Sequence, residues 1–384
     1  MKNPPQAGVL NRAGLERCFR EEWVAPLPKK PLGEDASALD LEIGGPYWEL
    51  SASIRPKEDQ EIREAIKPVV RGKERTLGKD KLRLKTGKIY LFKTRQQLRL
   101  PTIATGRSTG RSSVGRLDVL TRLLCDRNAT FDEVPAGYSG PLYVEVIANS
   151  FPIIVSEGMV LNQLRLFWGR PEEARLTLRE AMWLADEGTV IWREDRPFHG
   201  EELEARELKL TVKLPGLKEL AAYEARELWH SRAIDVERHN GYAVKDYWNL
   251  IKNQEGGITL KKEHFYILAS NERFCLPSTV CVECRAYQET LGEYRIHYAG
   301  FAHPWFGAMR PDKRGAPLIL EVRPHSADVR LSGHEPVAQV EFYRMQEPAP
   351  RPRTPPAYSG QELTLPPCFR PLSDSQAAAA ASPS

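Results

Sequence analysis

The sequence of 384 residues contains an internal repeat, and this repeat restricts the possible folds more than any other feature. The segment KIYLFKTRQQLRLPT at 88–102 resembles HFYILASNERFCLPS at 264–278, so that Tyr90 aligns with Tyr266 at an offset of 176 residues. The same offset places Glu145 on Glu321 and Phe167 on Tyr343. A register kept over roughly 80 residues indicates two copies of one structural unit.

Both copies are rich in short apolar and β-branched runs, such as LYVEVIA, FPIIV and LILEV, separated by Gly and Pro at turn-like spacing. This pattern predicts a mainly β protein of two tandem domains, with a few helices between and around them. Residues 171–187 begin with Pro, carry acidic residues in the first turn and precede Gly188, which predicts one helix between the copies.

A weaker match, between Ser37–Leu41 and Arg232–Val236, suggests where each copy begins. We therefore divide the chain into an N-terminal extension at 1–30, a first domain at 31–168, a helical or strand connector at 169–231, a second, degenerate domain at 232–345, and a tail at 346–384. The tail is biased toward Pro and Ala, and we expect most of it to be mobile.

Composition excludes several classes of protein. A net charge of +4 is too small to imply a nucleic-acid partner, and the basic stretch at 71–99 alternates with apolar residues, which favours a solvated strand pair over a nucleic-acid surface. No apolar run approaches the roughly 18 residues of a membrane span, and the first residues do not resemble a secretory signal. Six cysteines in so long a chain are typical of reduced thiols. We expect a cytoplasmic protein with no membrane partner.

One cysteine spacing suggests a metal. Cys281 and Cys284 form a C-x-x-C motif, and His199 with Glu201 forms an H-x-E motif, which together resemble the signature of zinc nucleobase deaminases. However, no proline precedes Cys281, and residues three apart in a strand face opposite sides of the sheet. We therefore expect no catalytic zinc.

The densest polar cluster is GRSSVGR at 110–116, in the first copy. Small residues, hydroxyls and guanidinium groups are suited to binding an anion, although Arg-Ser-Ser clusters also occur in ordinary loops. At the same offset the second copy reads AYQETLG at 286–292. The second copy thus keeps the flanking strands but not the cluster, which favours a functional site in the first copy.

These residues resemble the deoxycytidine triphosphate (dCTP) deaminases of the dUTPase-like superfamily. Their pattern is a Gly-Arg-Ser-Ser-x-x-Arg loop followed by a strand glutamate, matched here by GRSSVGR, by LYVEV with Glu145, and by SALDLEIG around Asp40. The resemblance covers about residues 30–167 and recurs, degraded, at 232–345. It implies two dUTPase-like distorted barrels of the β-clip type, and hydrolysis of dCTP to dUTP and ammonia.

The resemblance also implies roles for single residues. Glu145 would be the general base that activates water, while Ser112 and Arg116 would hold that water and polarise the pyrimidine. Deamination at C4 needs these elements, because water must be made nucleophilic and a tetrahedral intermediate stabilised. Mg²⁺ would arrive only with the triphosphate, and dTTP or dUTP is a possible effector. The residues that would bind the substrate are Gly110, Arg111, Ser113, Tyr143, Tyr358 and Gln361.

The two copies retain different parts of the family pattern. The sequence at 125–140 departs from the His-x-x-Ala and Asp-Pro-Gly-Trp stretches, whereas the second copy keeps a closer match around His297 and at His303-Pro304-Trp305. Because family members are trimers with active sites between subunits, we expect a homotrimer in which the first copy supplies the catalytic cluster and the second supplies walls or packing. Tyr358 and Gln361 would belong to a C-terminal lid.

Three alternatives to a simple deaminase remain at this stage. A dUTP pyrophosphatase is disfavoured, because the Gly-x-Ile-Asp turn of those enzymes is absent from the sequence. A bifunctional deaminase that releases dUMP, and a non-catalytic nucleotide-binding regulator, are both compatible with the same motifs.

Overall fold

A computed structural model describes residues 6–78, 80–186, 190–194, 196–203, 207–226, 232–286, 294–297, 300–333, 335–356 and 358–372. Strands predominate in both halves, and the mainly β prediction is confirmed. In the part of the chain so described, no helix is both long enough and apolar enough to cross a membrane.

The first half of the chain forms one large sheet. Its order is β8-β10-β6-β3-β12-β7-β9, with β1 added to β12, β2 to β6 and β4 to β3. The elements are β1 (Gly8–Val9), α1 (Arg12–Arg20), β2 (Val24–Ala25), β3 (Leu39–Leu50), α2 (Ile62–Ala65), β4 (Arg75–Thr76), β5 (Leu82–Leu84), β6 (Ile89–Arg99), β7 (Ala104–Gly110), α3 (Ser112–Gly115), β8 (Val119–Cys125), β9 (Glu133–Val134), β10 (Ser139–Ala148), β11 (Ile153–Val155) and β12 (Val160–Trp168).

Strand β3 joins the two sides of this sheet, because its first part pairs with β12 and its second part with β6. The register with β6 shifts between Ile43 and Tyr47, where Gly44 and Gly45 lie. A Cβ atom on Gly44 would come within 2.8 Å of the carbonyl oxygen of Lys93. Glycine therefore allows the two strands to stay close at the bend.

The second half repeats the strand pattern. Its elements are α4 (Pro171–Ala174), α5 (Leu178–Asp186), β13 (Ile191–Arg193), β14 (Arg196–Pro197), a 3₁₀ turn (Gly200–Glu202), β15 (Glu207–Thr211), β16 (Leu220–Ala225), β17 (Ile234–Asp235), a second 3₁₀ turn (Val244–Asp246), β18 (Trp248–Lys252), β19 (Ile258–Leu260), β20 (Tyr266–Phe274), β21 (Val280–Ala286), β22 (Tyr294–His297), β23 (Phe301–Ala302), β24 (Ala316–Pro324), β25 (Val329–Leu331) and β26 (Pro336–Arg344).

The offset of 176 residues is structural as well as sequential. It maps β5 onto β19, β11 onto β25 and β12 onto β26 without any shift in their bounds. The predicted helix at 171–187 is instead two short helices, because Arg175 takes an extended conformation and bridges to Tyr343 of β26. Thr177 and Glu180 then form hydrogen bonds that begin α5.

The predicted start of the second copy is wrong. Lys209 of β15 pairs with Gln339, as Asp40 of β3 pairs with Gln163, so β15 and β16 together replace β3. The match at 232–236 instead forms β17, which pairs in parallel with β11 of the first copy. Residues 207–225 thus belong to the second copy rather than to a connector. The constant offset is lost here because the strand that is continuous in the first copy is interrupted in the second.

The two copies share one apolar core. Phe151 of the first copy packs edge-on against Trp248 of the second, with ring centroids 5.4 Å apart. Phe369 of the tail contacts Trp248 and Tyr247 at centroid distances of 6.0 and 5.6 Å. Up to residue 372 the tail is therefore packed against the body of the protein, contrary to the expectation that most of it is mobile.

Candidate active site at the junction of the two copies

The polar cluster of the first copy lines a cavity between the copies. Strand β7 ends at Gly110, Arg111 precedes α3, and the buried side chain of Val114 anchors this short helix in the core. The cavity, of about 240 Å³, is lined by side chains from both copies and from the tail. It brings together six residues predicted from sequence, namely Arg111, Ser112, Ser113, Arg116, Tyr358 and Gln361.

Arg116 lies at the inner wall of this cavity and is almost fully buried. Its Nη2 donates a hydrogen bond of 2.7 Å to Oε1 of Gln361, and its Nη1 donates one of 3.2 Å to the carbonyl oxygen of Thr364. Its guanidinium also lies 4.3 Å from the ring centroid of Tyr358. Burial lowers the pKa of Arg116, against the influence of Tyr358 and Glu321. The tail thus closes one side of the cavity through direct contacts with Arg116.

The structure corrects the placement of Glu145 and Tyr143. Side chains alternate along β10, so Val144 and Val146 face the shared core whereas Tyr143 and Glu145 face the other side. There the carboxylate of Glu145 accepts a hydrogen bond of 2.9 Å from Ser53, and burial raises the pKa of Glu145. Neither side chain reaches the cavity that holds Ser112 and Arg116.

The equivalent glutamate of the second copy does reach this region. Glu321 lies in β24 and is almost fully buried. A Cβ atom on Gly115 would come within 2.5 Å of Oε2 of Glu321, so the absence of a side chain at 115 allows α3 to approach this carboxylate. The charge of Glu321 also acts on Arg116 and on Tyr358. The sequence signal for Glu321 was its repeat match with Glu145.

Other cavity residues were not assigned from sequence. His303 lines the cavity, and its Nδ1 lies 2.6 Å from Oγ of Ser37. Burial lowers the pKa of His303 to about 4, so its imidazole is neutral at pH 7. Arg111 pairs with Asp40, with Nη1 and Oδ2 3.0 Å apart. The second-copy segment that aligns with the polar cluster, at 287–292, lies outside the described residues.

The two cysteines of the C-x-x-C motif face opposite sides of β21. Cys281 packs with Phe167 and Tyr343, whereas Cys284 lines the cavity. His199 precedes a 3₁₀ turn, where its backbone nitrogen donates to Glu202. Across the described ranges of the chain, no three His, Cys, Asp or Glu residues are grouped so that they could hold a metal ion.

Two tandem β domains that enclose a polar cavity, with a buried carboxylate of one against a Ser-Ser/Arg loop of the other, define a nucleotide-processing protein of the dUTPase-like class. Comparison with known proteins narrows this class. Residues 6–170 match the N-terminal domain, and residues 186–369 the C-terminal domain, of 2′-deoxycytidine 5′-triphosphate deaminase. The chain belongs to the 2′-deoxycytidine 5′-triphosphate deaminase family.

Individual relatives agree with this assignment. The chain is 31% identical over 165 residues to a "dCTP deaminase, dUMP-forming" from Corynebacterium kroppenstedtii, a match that covers 41% of this chain and 81% of the relative. It is 27% identical over 168 residues to a "dCTP deaminase" from Natronomonas pharaonis, covering 41% of this chain and 78% of that protein. The solved deaminase from Agrobacterium tumefaciens is similar along both copies, with a TM-score of 0.78 and 28% identity, covering 90% of this chain and 100% of that one.

Proposed function

We propose that this protein is an enzyme that hydrolyses dCTP to dUTP and ammonia. The observation that carries the proposal is the cavity in which the Ser112–Arg116 loop of the first copy meets the strand of Glu321 in the second. A buried carboxylate beside a hydroxyl and a guanidinium is the set of groups that hydrolytic deamination needs. Family membership and the names of the relatives support the same reaction.

The proposed mechanism gives Glu321, rather than Glu145, the role of general base. Glu321 takes a proton from water as the water oxygen bonds to C4 of the cytosine, and N3 becomes protonated. Glu321 then passes its proton to the amino group. The C4–N bond breaks, ammonia leaves, and the remaining hydroxyl proton is released to complete it as C4=O forms. Arg116 and Ser112 hold the attacking water and stabilise the tetrahedral intermediate.

The triphosphate would bind at the more open side of the cavity. Arg111 and Ser113 line this side, and Arg111 now pairs with Asp40. Because a guanidinium pairs well with phosphate oxygens, we propose that Arg111 exchanges Asp40 for a phosphate when the nucleotide binds. Mg²⁺ would accompany the triphosphate, and Tyr358 and Gln361 would cover the bound nucleotide.

The product distinguishes the proposal from its alternatives. The purified protein is incubated with dCTP and Mg²⁺, the nucleotides are separated by chromatography, and ammonia is measured. We expect dUTP and ammonia in equal amounts. Formation of dUMP instead would identify a bifunctional enzyme, as in the names of two Corynebacterium relatives. Turnover of dUTP alone would indicate a pyrophosphatase, and no turnover with retained binding would indicate a regulator.

Some expectations from the family resemblance stay predictions. A homotrimer is testable by light scattering, and inhibition by dTTP or dUTP by adding either nucleotide to the assay. We also propose a cytoplasmic location, which the six free cysteines support because thiols persist in a reducing compartment.

A further inference from the structure

The two copies contact each other through equivalent positions of the repeat. Arg107 and Glu283 are 176 residues apart, and Nη1 of the arginine lies 3.5 Å from Oε2 of the glutamate. Phe167 and Tyr343, related by the same offset, pack edge-on with ring centroids 5.8 Å apart. Residues at equivalent positions can touch only near the axis that relates the two copies. This contact is therefore where two identical copies would present the same side chains to each other.

Charge at this axis is divided between the copies. The first copy carries Arg107 and Arg165, and at the equivalent positions the second copy carries Glu283 and Glu341. Arg165 is 1% exposed, and its Nη2 lies 3.2 Å from Oε1 of Glu283. Two first copies would bury arginine against arginine, and two second copies glutamate against glutamate. Because buried like charges are strongly unfavourable, this surface fits only an unlike partner.

The buried charges are satisfied by the unlike copy. Burial alone would raise the pKa of Glu283, but Arg165, Arg107 and Arg285 lower it more, and the net pKa lies below the ordinary value. Arg107 also donates a hydrogen bond of 2.8 Å to the hydroxyl of Tyr343, which in turn donates to Glu341. The polar contacts thus form a continuous network across the junction.

The chain itself covers the open side of this axis. Glu172 of α4 pairs with Arg107, with Oε1 and Nη2 3.3 Å apart, and Arg175 pairs with Glu341 at 3.2 Å. The backbone nitrogen of Leu176 donates to the carbonyl oxygen of Phe342 at 2.8 Å. The segment between the copies therefore occupies the position at which a third domain would meet the first two.

The glutamate face of the first copy is also covered. In the second copy, Glu321 and Arg323 of β24 face the first copy, and Arg323 forms an ion pair with Asp118. In the first copy, the equivalent face of β10 packs under the chain's own α2, through Ile62 and Ile66. Only one of the two equivalent faces is thus open to a Ser-Ser/Arg loop.

We propose that this interface accepts only unlike copies, so that each chain builds one complete active site from its own two halves and needs no residue of a second chain. The proposal rests on the proposed function, because it takes Ser112, Arg116 and Glu321 to be parts of one site. It makes the fused chain, and not an oligomer, the catalytic unit.

Co-expression of two inactive chains tests this. Ser112→Ala disables the loop and Glu321→Gln disables the glutamate, and each variant carries a different affinity tag so that mixed assemblies can be isolated. We expect the mixture to show no more dCTP deaminase activity than the two variants measured separately. If chains completed each other's sites, random pairing would restore about one quarter of the wild-type activity, and that result would overturn the proposal.

The same experiment separates failure of the inference from failure of the proposed function. Wild-type protein without deaminase activity would refute the function, and single variants that remain active would refute the site. Recovery in the mixture, with an active wild type and inactive single variants, refutes only the completion within one chain.

Charge exchange tests the interface directly. Glu283→Arg alone places three guanidinium groups around a fourth, and Arg107→Glu with Arg165→Glu alone places carboxylates around Glu283. We expect both variants to lose activity and thermal stability. The variant that combines all three changes should melt about 5 °C above either, because opposite charges again face each other. A combined variant no more stable than its parents would show that charge does not select the pairing.

Discussion

Glu145 and Glu321 occupy equivalent positions in two copies of one strand, but their carboxylates meet different neighbours. Glu145 contacts Ser53 beneath α2, whereas Glu321 lies against Gly115, beside the buried Arg116. Sequence spacing alone assigned the base to Glu145, because that residue follows the polar loop in the same copy. The polar loop instead faces the other copy, so the base is contributed from a position 176 residues further along the chain.

Replacing each glutamate by glutamine separates the two roles. We expect Glu321→Gln to lower kcat for dCTP about 10³-fold, because glutamine cannot accept the proton of water, with dCTP affinity changed less than about threefold. Glu145→Gln is the matched control, since it makes the same change in the equivalent strand and should leave kcat within about threefold. The measurements are steady-state kinetics and nucleotide binding. An inactive Glu145→Gln beside an active Glu321→Gln would reverse the assignment.

His303 should make stability depend on pH. Burial lowers the pKa of His303 to about 4, against the attraction of Asp35, whereas an unfolded histidine titrates near 6.5. The unfolded chain therefore binds this proton first, so the stability contributed by neutral His303 is present above about pH 6.5 and is lost as the pH falls toward 4. The loss would be at most about 3 kcal/mol.

The variant His303→Asn checks this, because asparagine retains a polar group near Ser37 but does not titrate. We expect urea unfolding of the wild type to weaken more between pH 7 and pH 5 than that of the variant. Equal pH dependence of the two proteins would remove His303 as the source.

At the scale of elements, the tail segment that contributes Tyr358 and Gln361 to the cavity is held from outside it. The carboxylate of Glu362 receives a fork of two hydrogen bonds from Arg273, at 2.6 and 3.0 Å, and lies 3.3 Å from Arg310. Nη1 of Arg310 also donates a 3.0 Å hydrogen bond to the carbonyl oxygen of Gly360. These contacts fix the segment on either side of the residue that bonds to Arg116.

Removing the charge of Glu362 should loosen this segment. We expect Glu362→Gln to raise the KM for dCTP about two- to fivefold with little change in kcat, because a half-exposed ion pair contributes about 1 kcal/mol or less. Limited proteolysis should cut the tail faster in the variant. Glu335→Gln is the control, since Glu335 bonds Ser332 in a turn outside the cavity lining. An equal effect of both changes on KM would exclude a specific role of Glu362.

At the scale of the whole molecule, the two copies are one folding unit. The apolar core that contains Phe151 of the first copy continues through Trp248 of the second to Phe369 of the tail. Strand β17 of the second copy pairs with β11 of the first, which adds backbone hydrogen bonds to the same junction. Neither copy can lose its structure without exposing part of the core of the other.

Truncating Phe369 should therefore destabilise the whole chain. We expect Phe369→Ala to lower the free energy of unfolding by about 3–5 kcal/mol, the usual cost of removing a buried phenyl ring. Calorimetry should show one transition, shifted as a whole to lower temperature. A split into two transitions, of which only one moves, would show that the copies unfold separately.

The sequence by itself determined the repeat, the β class, the family and most of the cavity. Local patterns carry that information, because strand alternation is a property of neighbouring residues and because Arg111, Ser112, Ser113 and Arg116 lie within six consecutive positions. Tyr358 and Gln361 were also identified from a short motif of the tail. The opposite faces of Cys281 and Cys284 likewise followed from the period of a strand.

Only the tertiary structure decided which copy supplies the glutamate, where the second copy begins and how the helix at 171–187 is broken. Glu145 and Glu321 are equivalent in the repeat, and nothing local distinguishes a strand face covered by α2 from one that receives the neighbouring copy. The strand equivalent to β3 is interrupted, and the extended conformation of Arg175 depends on its bridge to Tyr343. These features arise from contacts between residues far apart in sequence, where the docking of two similar but unlike halves determines which side chains meet.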